Sequence, residues 1–171
     1  GGVKSLAVAS NGDLIAGGQF TAIGQVSASN IARWNGSRWI ALGAGVVAEP
    51  GNPVRVLALA AVPGGGVIAG GFFTSAGGGP ANNVARWDGS AWAAMGSGMD
   101  GGVSALAGLA DGRVAAAGGF TTAGGVAAGN IAVWDGSSWS ALGSGLGSPA
   151  LALTVLPDGE LAAGGLFVTA G

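Results

Sequence analysis

The chain has 171 residues, of which 49% are hydrophobic, only 8% are charged and 38 are glycine. Disordered chains show the opposite balance, and the glycines follow no third-residue period, which excludes a collagen helix. A net charge of −2 with six scattered basic residues gives no footprint for nucleic acid, and the absence of cysteine and histidine excludes disulfides, thiolate chemistry and the usual zinc ligands.

The first ten residues, GGVKSLAVAS, lack the basic start and long apolar stretch of a signal peptide. No apolar run approaches the ~18 residues of a membrane span, Val56–Val62 being among the longest, so membrane insertion is not expected. Val3–Ala9 reads as a first strand, with equivalents at Val56–Val62, Val103–Leu109 and Ala150–Leu156. Asn11-Gly12, Gly64-Gly65, Asp111-Gly112 and Asp158-Gly159 follow these strands. Such pairs predict type I′ hairpin turns with both central residues at positive φ.

A second strand, Leu14–Phe20 and its equivalents, ends in a glycine pair beside a phenylalanine: GGQF at 17–20, GGFF at 70–73, GGF at 118–120 and GGLF at 164–167. Phe20, Phe73, Phe120 and Phe167 are therefore equivalent, spaced 53, 47 and 47 residues. Nine-residue loops of small residues follow (Thr21–Ser29, Thr74–Asn82, Thr121–Gly129). Third strands begin at Asn30, Asn83 and Asn130 and end at Trp34, Trp87 and Trp134. An Asn-Gly or Asp-Gly turn then leads to fourth strands starting at Trp39, Trp92 and Trp139.

Each unit thus spans about 47 residues, and the six extra residues of the second fall in the linker Gly43–Arg55. Glycine or a turn pair interrupts nearly every stretch before three helical turns form, so the expected class is all-β. Tandem four-stranded antiparallel units of this length fit the blades of a β-propeller better than a sandwich. About three and a half blades are expected: blade 1 at 1–46, blade 2 at 47–99, blade 3 at 100–146 and a half blade at 147–171, forming one propeller segment. The small residues of the first strand suit the crowded position near a propeller axis, and the tryptophans suit the wider gap between blades.

The order of these signatures resembles the kelch repeat, and more closely the kelch-like repeats of the Rax2 type, which carry the same GG-x-FT, ARWDGSxW and ALGSGL elements. That resemblance covers essentially the whole chain and implies a propeller fold. The usual kelch tyrosine is missing, since there is no tyrosine, and Trp34, Trp87 and Trp134 take its place. What it implies for function is a scaffold, because kelch-like propellers serve as binding platforms, structural modules and occasionally enzyme domains.

Candidate chemistry is sparse. Asp88-Gly89-Ser90 and Asp135-Gly136-Ser137 offer one acid each, whereas a calcium loop needs several, and Asn35 replaces the acid in the first copy. The glycine pairs end strands with no lysine beside them, unlike a phosphate loop. Glu49, Asp100 and Glu160, the acids outside turns, have no matched partner for acid–base work. The galactose-oxidase-like chemistry found on kelch-like propellers needs Cys, Tyr and His ligands that this chain lacks. Arg33 and Arg86 recur, but Val133 stands in the third copy.

The expectation is therefore a non-catalytic scaffold or protein-interaction module without cofactor or metal, from a secreted or cell-surface protein. The alternative is a lectin-like propeller with repeated shallow sugar sites. Expected partners are other blades of the same protein or further copies of the chain, and a protein or glycan ligand. Trp34, Trp39, Trp87, Trp92, Trp134 and Trp139, with Phe20, Phe73, Phe120 and Phe167, are expected to be structural. Asn30, Asn83 and Asn130 lie at the rim of the face carrying the long connections, where a ligand would bind, although capping loop backbone is the favoured use for them. With strands three and four absent from its fourth unit, the segment is expected to belong to a longer propeller or to assemble with other copies.

Overall fold

Period-two alternation in the second strand decides how the layers stack. In Gly66–Phe72 of the second unit, Val67 and Ala69 point into one apolar cluster and Ile68 points into another. A strand buried on both faces belongs to a sheet sandwiched between two others. Burial of this strand is nearly complete, with Val67 and Ile68 each 1% exposed.

In the computed structural model, which describes residues 1–49, 51–62 and 66–171, the chain is all-β, with no helix among those residues. Three antiparallel four-stranded sheets follow one another along the chain. The first joins Val3–Val8, Leu14–Gly18, Ile31–Trp34 and Trp39–Ala41 in that order. Arg55–Val62, Gly66–Phe72, Val84–Trp87 and Trp92–Ala94 repeat the order, as do Val103–Gly108, Val114–Gly118, Ile131–Trp134 and Trp139–Ala141. A two-stranded sheet, Ala150–Val155 with Leu161–Gly165, ends the series. The first strands lie beside one another in chain order, from Val3–Val8 to Ala150–Val155.

Among the described residues three hydrophobic clusters make up the core, and each lies between units. One joins Ile15, Ile31, Leu42 and Val46 of the first unit to Val56, Val67, Phe73 and Trp92 of the second. Another joins Ile68, Val84, Met95 and Met99 of the second to Val103, Val114, Phe120 and Trp139 of the third. The smallest joins Ile131 and Leu146 to Ala150, Leu161 and Phe167.

Glycine pairs serve two separate contacts. A Cβ on Gly17 or Gly70 would overlap Val56 or Val103 of the following unit. One on Gly18, Gly71, Gly118 or Gly165 would overlap backbone of its own first strand, where each hairpin carries a bulge. These are the close backbone approaches that only glycine permits.

Two expectations need correction. Asn11, Asp111 and Asp158 are not at positive φ; only the following glycines are, Gly12 at 86°, Gly112 at 87° and Gly159 at 90°. Gly12 N–H donates to Ala9 C=O and Ala9 N–H to Asp13 C=O, which is a type I turn closed by a left-handed glycine, not a type I′ turn. The expected Gly64-Gly65 turn lies outside the described residues. The nine-residue loops, second, each fold back as a miniature hairpin: Ala22–Ile23 with Val26–Ser27, Ser75–Ala76 with Gly79–Pro80, and Thr122–Ala123 with Val126–Ala127.

The second and third of those hairpins, and Ala170 in the last unit, pair with the linker that precedes their unit. Val46–Val47 pairs with Ser75–Ala76, Met99 bridges to Ala123, and Leu146 bridges to Ala170. Each linker therefore leaves one unit already hydrogen-bonded to the next.

Candidate functional site

Tryptophans sit where the register places them. Trp34–Trp39, Trp87–Trp92 and Trp134–Trp139 are direct cross-strand pairs, with ring centroids 5.6, 5.5 and 5.3 Å apart and planes tilted by 58°, 56° and 54°. The second member reaches backwards along the chain. Trp92 Nε1–H donates to Leu42 C=O at 2.8 Å, and Trp139 Nε1–H to Met95 C=O at 2.9 Å. Their indoles also lie against Gly43 and Gly96 of the unit before. Phe73 and Phe120 are fully buried at the same interfaces, while Phe20 and Phe167 are half-buried.

The three rim asparagines adopt left-handed backbone, with φ of 66°, 63° and 62°. Asn30 Nδ2 donates to Val46 C=O and its Oδ1 accepts from Phe20 N–H. Asn83 bonds Met99 C=O and Phe73 N–H in the same way, and Asn130 bonds Leu146 C=O. Their amides tie strand three to the linker strand. Asparagine suits the position because its short polar side chain tolerates that backbone.

Turn acids are likewise engaged. Asp88 Oδ1 accepts from Ser90 N–H and Ala91 N–H, and Asp135 Oδ1 from Ser137 N–H and Ser138 N–H. Asn35 Oδ1 does the same with Ser37 and Arg38, which explains why Asn and Asp interchange here. These amides hold the Asp88 and Asp135 carboxyls below the ordinary aspartate range. Asp100, one of the acids without an expected role, reaches from the start of the third unit to the loop after that unit's second strand. It accepts from Thr121 Oγ1 at 2.6 Å and from the amides of Thr121 and Thr122 at 2.8 and 2.9 Å. The Thr121 hydroxyl, followed by the amides, lowers its pKa to about 2.

Apart from the Asp100 tie, these contacts recur from unit to unit and have structural uses, within a unit or between units, so the informative surface is where repetition breaks. That place is the long linker. Asn52 and Pro53 stand between two grooves on the face opposite the tight turns. The larger apolar share belongs to the groove of about 370 Å³ lined by Ala48, Pro53, Arg55, Phe72, Thr74 and Asn83. Phe72 is 44% exposed and packs over Gly102; Arg55 pairs across from it and has no carboxylate in ion-pair distance among the described residues. Equivalent positions hold Gln19, Gly119 and Leu166 for Phe72, and Gly2, Gly102 and Pro149 for Arg55. Sequence reasoning located the linker but missed these two residues. Their singularity at positions otherwise small or neutral was the available signal.

On the opposite face, a second feature occurs twice. Arg33 and Trp87 line one groove between units, and Arg86 and Trp134 line the next. In the first groove Arg33 is paired with Asp13 at 3.0 Å, whereas Gly66 stands at the Asp13 position in the second. No family model, no curated protein and no solved structure matches the chain.

Proposed function

We propose that the chain is a kelch-like β-propeller segment of about three and a half blades. It serves as a non-catalytic scaffold that recognises a protein partner through its long-connection face, in a secreted or cell-surface setting. Support for the propeller comes from the three repeated four-stranded sheets with their first strands side by side and their apolar clusters between units. One observation carries the recognition reading: the Phe72–Arg55 groove beside Asn52-Pro53, an apolar surface with one free guanidinium on rigid strands. Aromatic residues and arginine are the side chains enriched at binding hot spots.

A photo-reactive residue introduced at Phe72, and separately at Ala91 on the turn face, tests this against surface material from the source cells. Adducts at 72 and none at 91 are expected. Adducts confined to 91 overturn the assignment of the face.

The twice-repeated Arg–Trp groove favours a second reading, a lectin-like platform. A glycan array followed by tryptophan-quench titration separates the two, since the lectin reading requires two equivalent saturable sites.

A further inference from the structure

The two Arg–Trp grooves on the tight-turn face are built alike but differ by one charge. Ile15, Arg33, Trp87 and Gly89 line the first, and Ile68, Arg86, Trp134 and Gly136 stand at the same places in the second. Asp13 also lines the first groove. Its carboxylate lies 3.0 Å from Arg33 Nη1, and its side chain is only 14% exposed. The first groove therefore carries its own anion. In the second, Gly66 takes the place of Asp13, and Arg86 is exposed with no ion-pair partner among the described residues. Residues 63–65, which precede Gly66, are Pro-Gly-Gly and bring no acid. The acids nearest in sequence to the groove are engaged elsewhere. Asp88 Oδ1 accepts from the amides of Ser90 and Ala91, and Asp111 pairs with Arg113 at 2.7 Å.

We infer that the second groove, about 170 Å³ in volume, is a binding site for an external carboxylate carried by a single sugar-acid residue. That carboxylate takes the place Asp13 holds in the first groove and pairs with the Arg86 guanidinium, whose planar fork matches it. Val62, Ile68 and Val114 give the groove an apolar floor, the usual setting in which one or two polar groups orient a small ligand. Trp134, half-buried in the wall, supplies an aromatic ring against which the C–H face of a sugar can pack. A Cβ on Gly112 or Gly136 would meet nothing within 4 Å, so the mouth is open. A groove this small admits one compact ring and excludes a helix or a strand. Two equivalent sites, which the lectin reading requires, are not needed here: the grooves must differ.

The probes are methyl β-glucuronide, its uncharged counterpart methyl β-glucoside, and N-acetyl-aspartyl amide. Each is titrated into the 171-residue protein while the tryptophan indole N–H signals are followed by NMR. The glucuronide should give saturable shifts at Trp134 and none at Trp87, and the glucoside should bind at least tenfold more weakly. Arg86→Gln should weaken glucuronide binding tenfold or more, whereas Arg38→Gln, on an exposed turn of the first unit, should leave it unchanged. Asp13→Asn removes the internal anion and should add a second saturable site, read at Trp87. No saturable shift at Trp134, equal binding of the glucoside, or indifference to Arg86→Gln overturns the proposal. So does a Trp87 that shifts in the wild type or stays unmoved in Asp13→Asn. Tighter binding of N-acetyl-aspartyl amide than of the glucuronide also overturns it, since a protein acid is then the better occupant. Equal shifts of Trp87 and Trp134 by the glucoside would support the lectin reading and overturn this one, so the two fail separately.

Discussion

Gly17 of the first unit lies directly against Val56 of the second, with no room for even one additional carbon between them. The pair recurs as Gly70 against Val103. At the third interface the same two positions hold Ala117 and Ala150, both fully buried in one cluster. Volume lost on one side of the contact is thus restored on the other.

Gly17→Ala alone should overpack this contact and cost roughly 1–3 kcal/mol. Val56→Ala alone leaves a cavity and should cost about 1–3 kcal/mol. Combined, they recreate the Ala117–Ala150 arrangement, so the double variant should be more stable than the sum of the single losses by at least ~1 kcal/mol. Urea denaturation of the four proteins measures this coupling. Strict additivity would mean the two residues do not share a contact.

Tryptophans at equivalent positions should differ in cost. Trp87→Ala or Trp92→Ala opens the interface between the first two units and should cost roughly 3–5 kcal/mol. Trp39, which lies beside Gly24 of its own unit and belongs to none of the clusters between units, should cost only ~1–2 kcal/mol. Thermal melts read the difference. A shift below a degree or two for Trp87→Ala would contradict its role between units.

Asp100 gives the start of the third unit an acid-sensitive tie to the loop after its second strand. Its folded pKa of about 2 lies below the ordinary 3.8, so its contribution is complete above that ordinary value and disappears as pH falls towards 2. Asp100→Asn should therefore melt below wild type at pH 6 and converge with it near pH 2. Asp88, Asp111 and Asp135, whose carboxyls are also held low, are the same in both proteins and cancel in the comparison. An offset that stays constant with pH would contradict the assignment.

Asn83 combines left-handed backbone with two side-chain bonds. Asn83→Ala loses the bonds and strains the backbone, for a combined cost of roughly 2–4 kcal/mol. Asn83→Gly loses the bonds alone and should be milder by ~1 kcal/mol. Equal melting of the two variants would remove backbone strain from the account.

What the sequence made legible was whatever lies within one unit. A five-residue spacing around Asn/Asp-Gly-Ser was enough to place Trp34 opposite Trp39, because a tight turn fixes register. Links between units were harder to read. Val46–Val47, Met99 and Leu146 pair across units over one or two residues, too short for any period to show. Turn type failed because Asn-Gly and Asp-Gly also serve a type I turn closed by glycine, and only the closing bond from Ala9 N–H to Asp13 C=O distinguishes the two. Asp100 carried no signal at all, since Val47 and Gly147 occupy its place in the other linkers.

A curved arrangement of blades is the central structural claim, and inter-unit distances test it most directly. The chain has no cysteine, so Arg38→Cys, Ala91→Cys and Ser138→Cys place spin labels on three equivalent exposed turns without background. Pulsed electron paramagnetic resonance on pairwise variants gives the one-unit separation (38 to 91) and the two-unit separation (38 to 138). Blades set around an axis predict a two-unit distance about 1.4–1.85 times the one-unit distance, the range for rings of about four to eight blades. A ratio of 2, the value for units stacked in a straight line, would contradict the propeller.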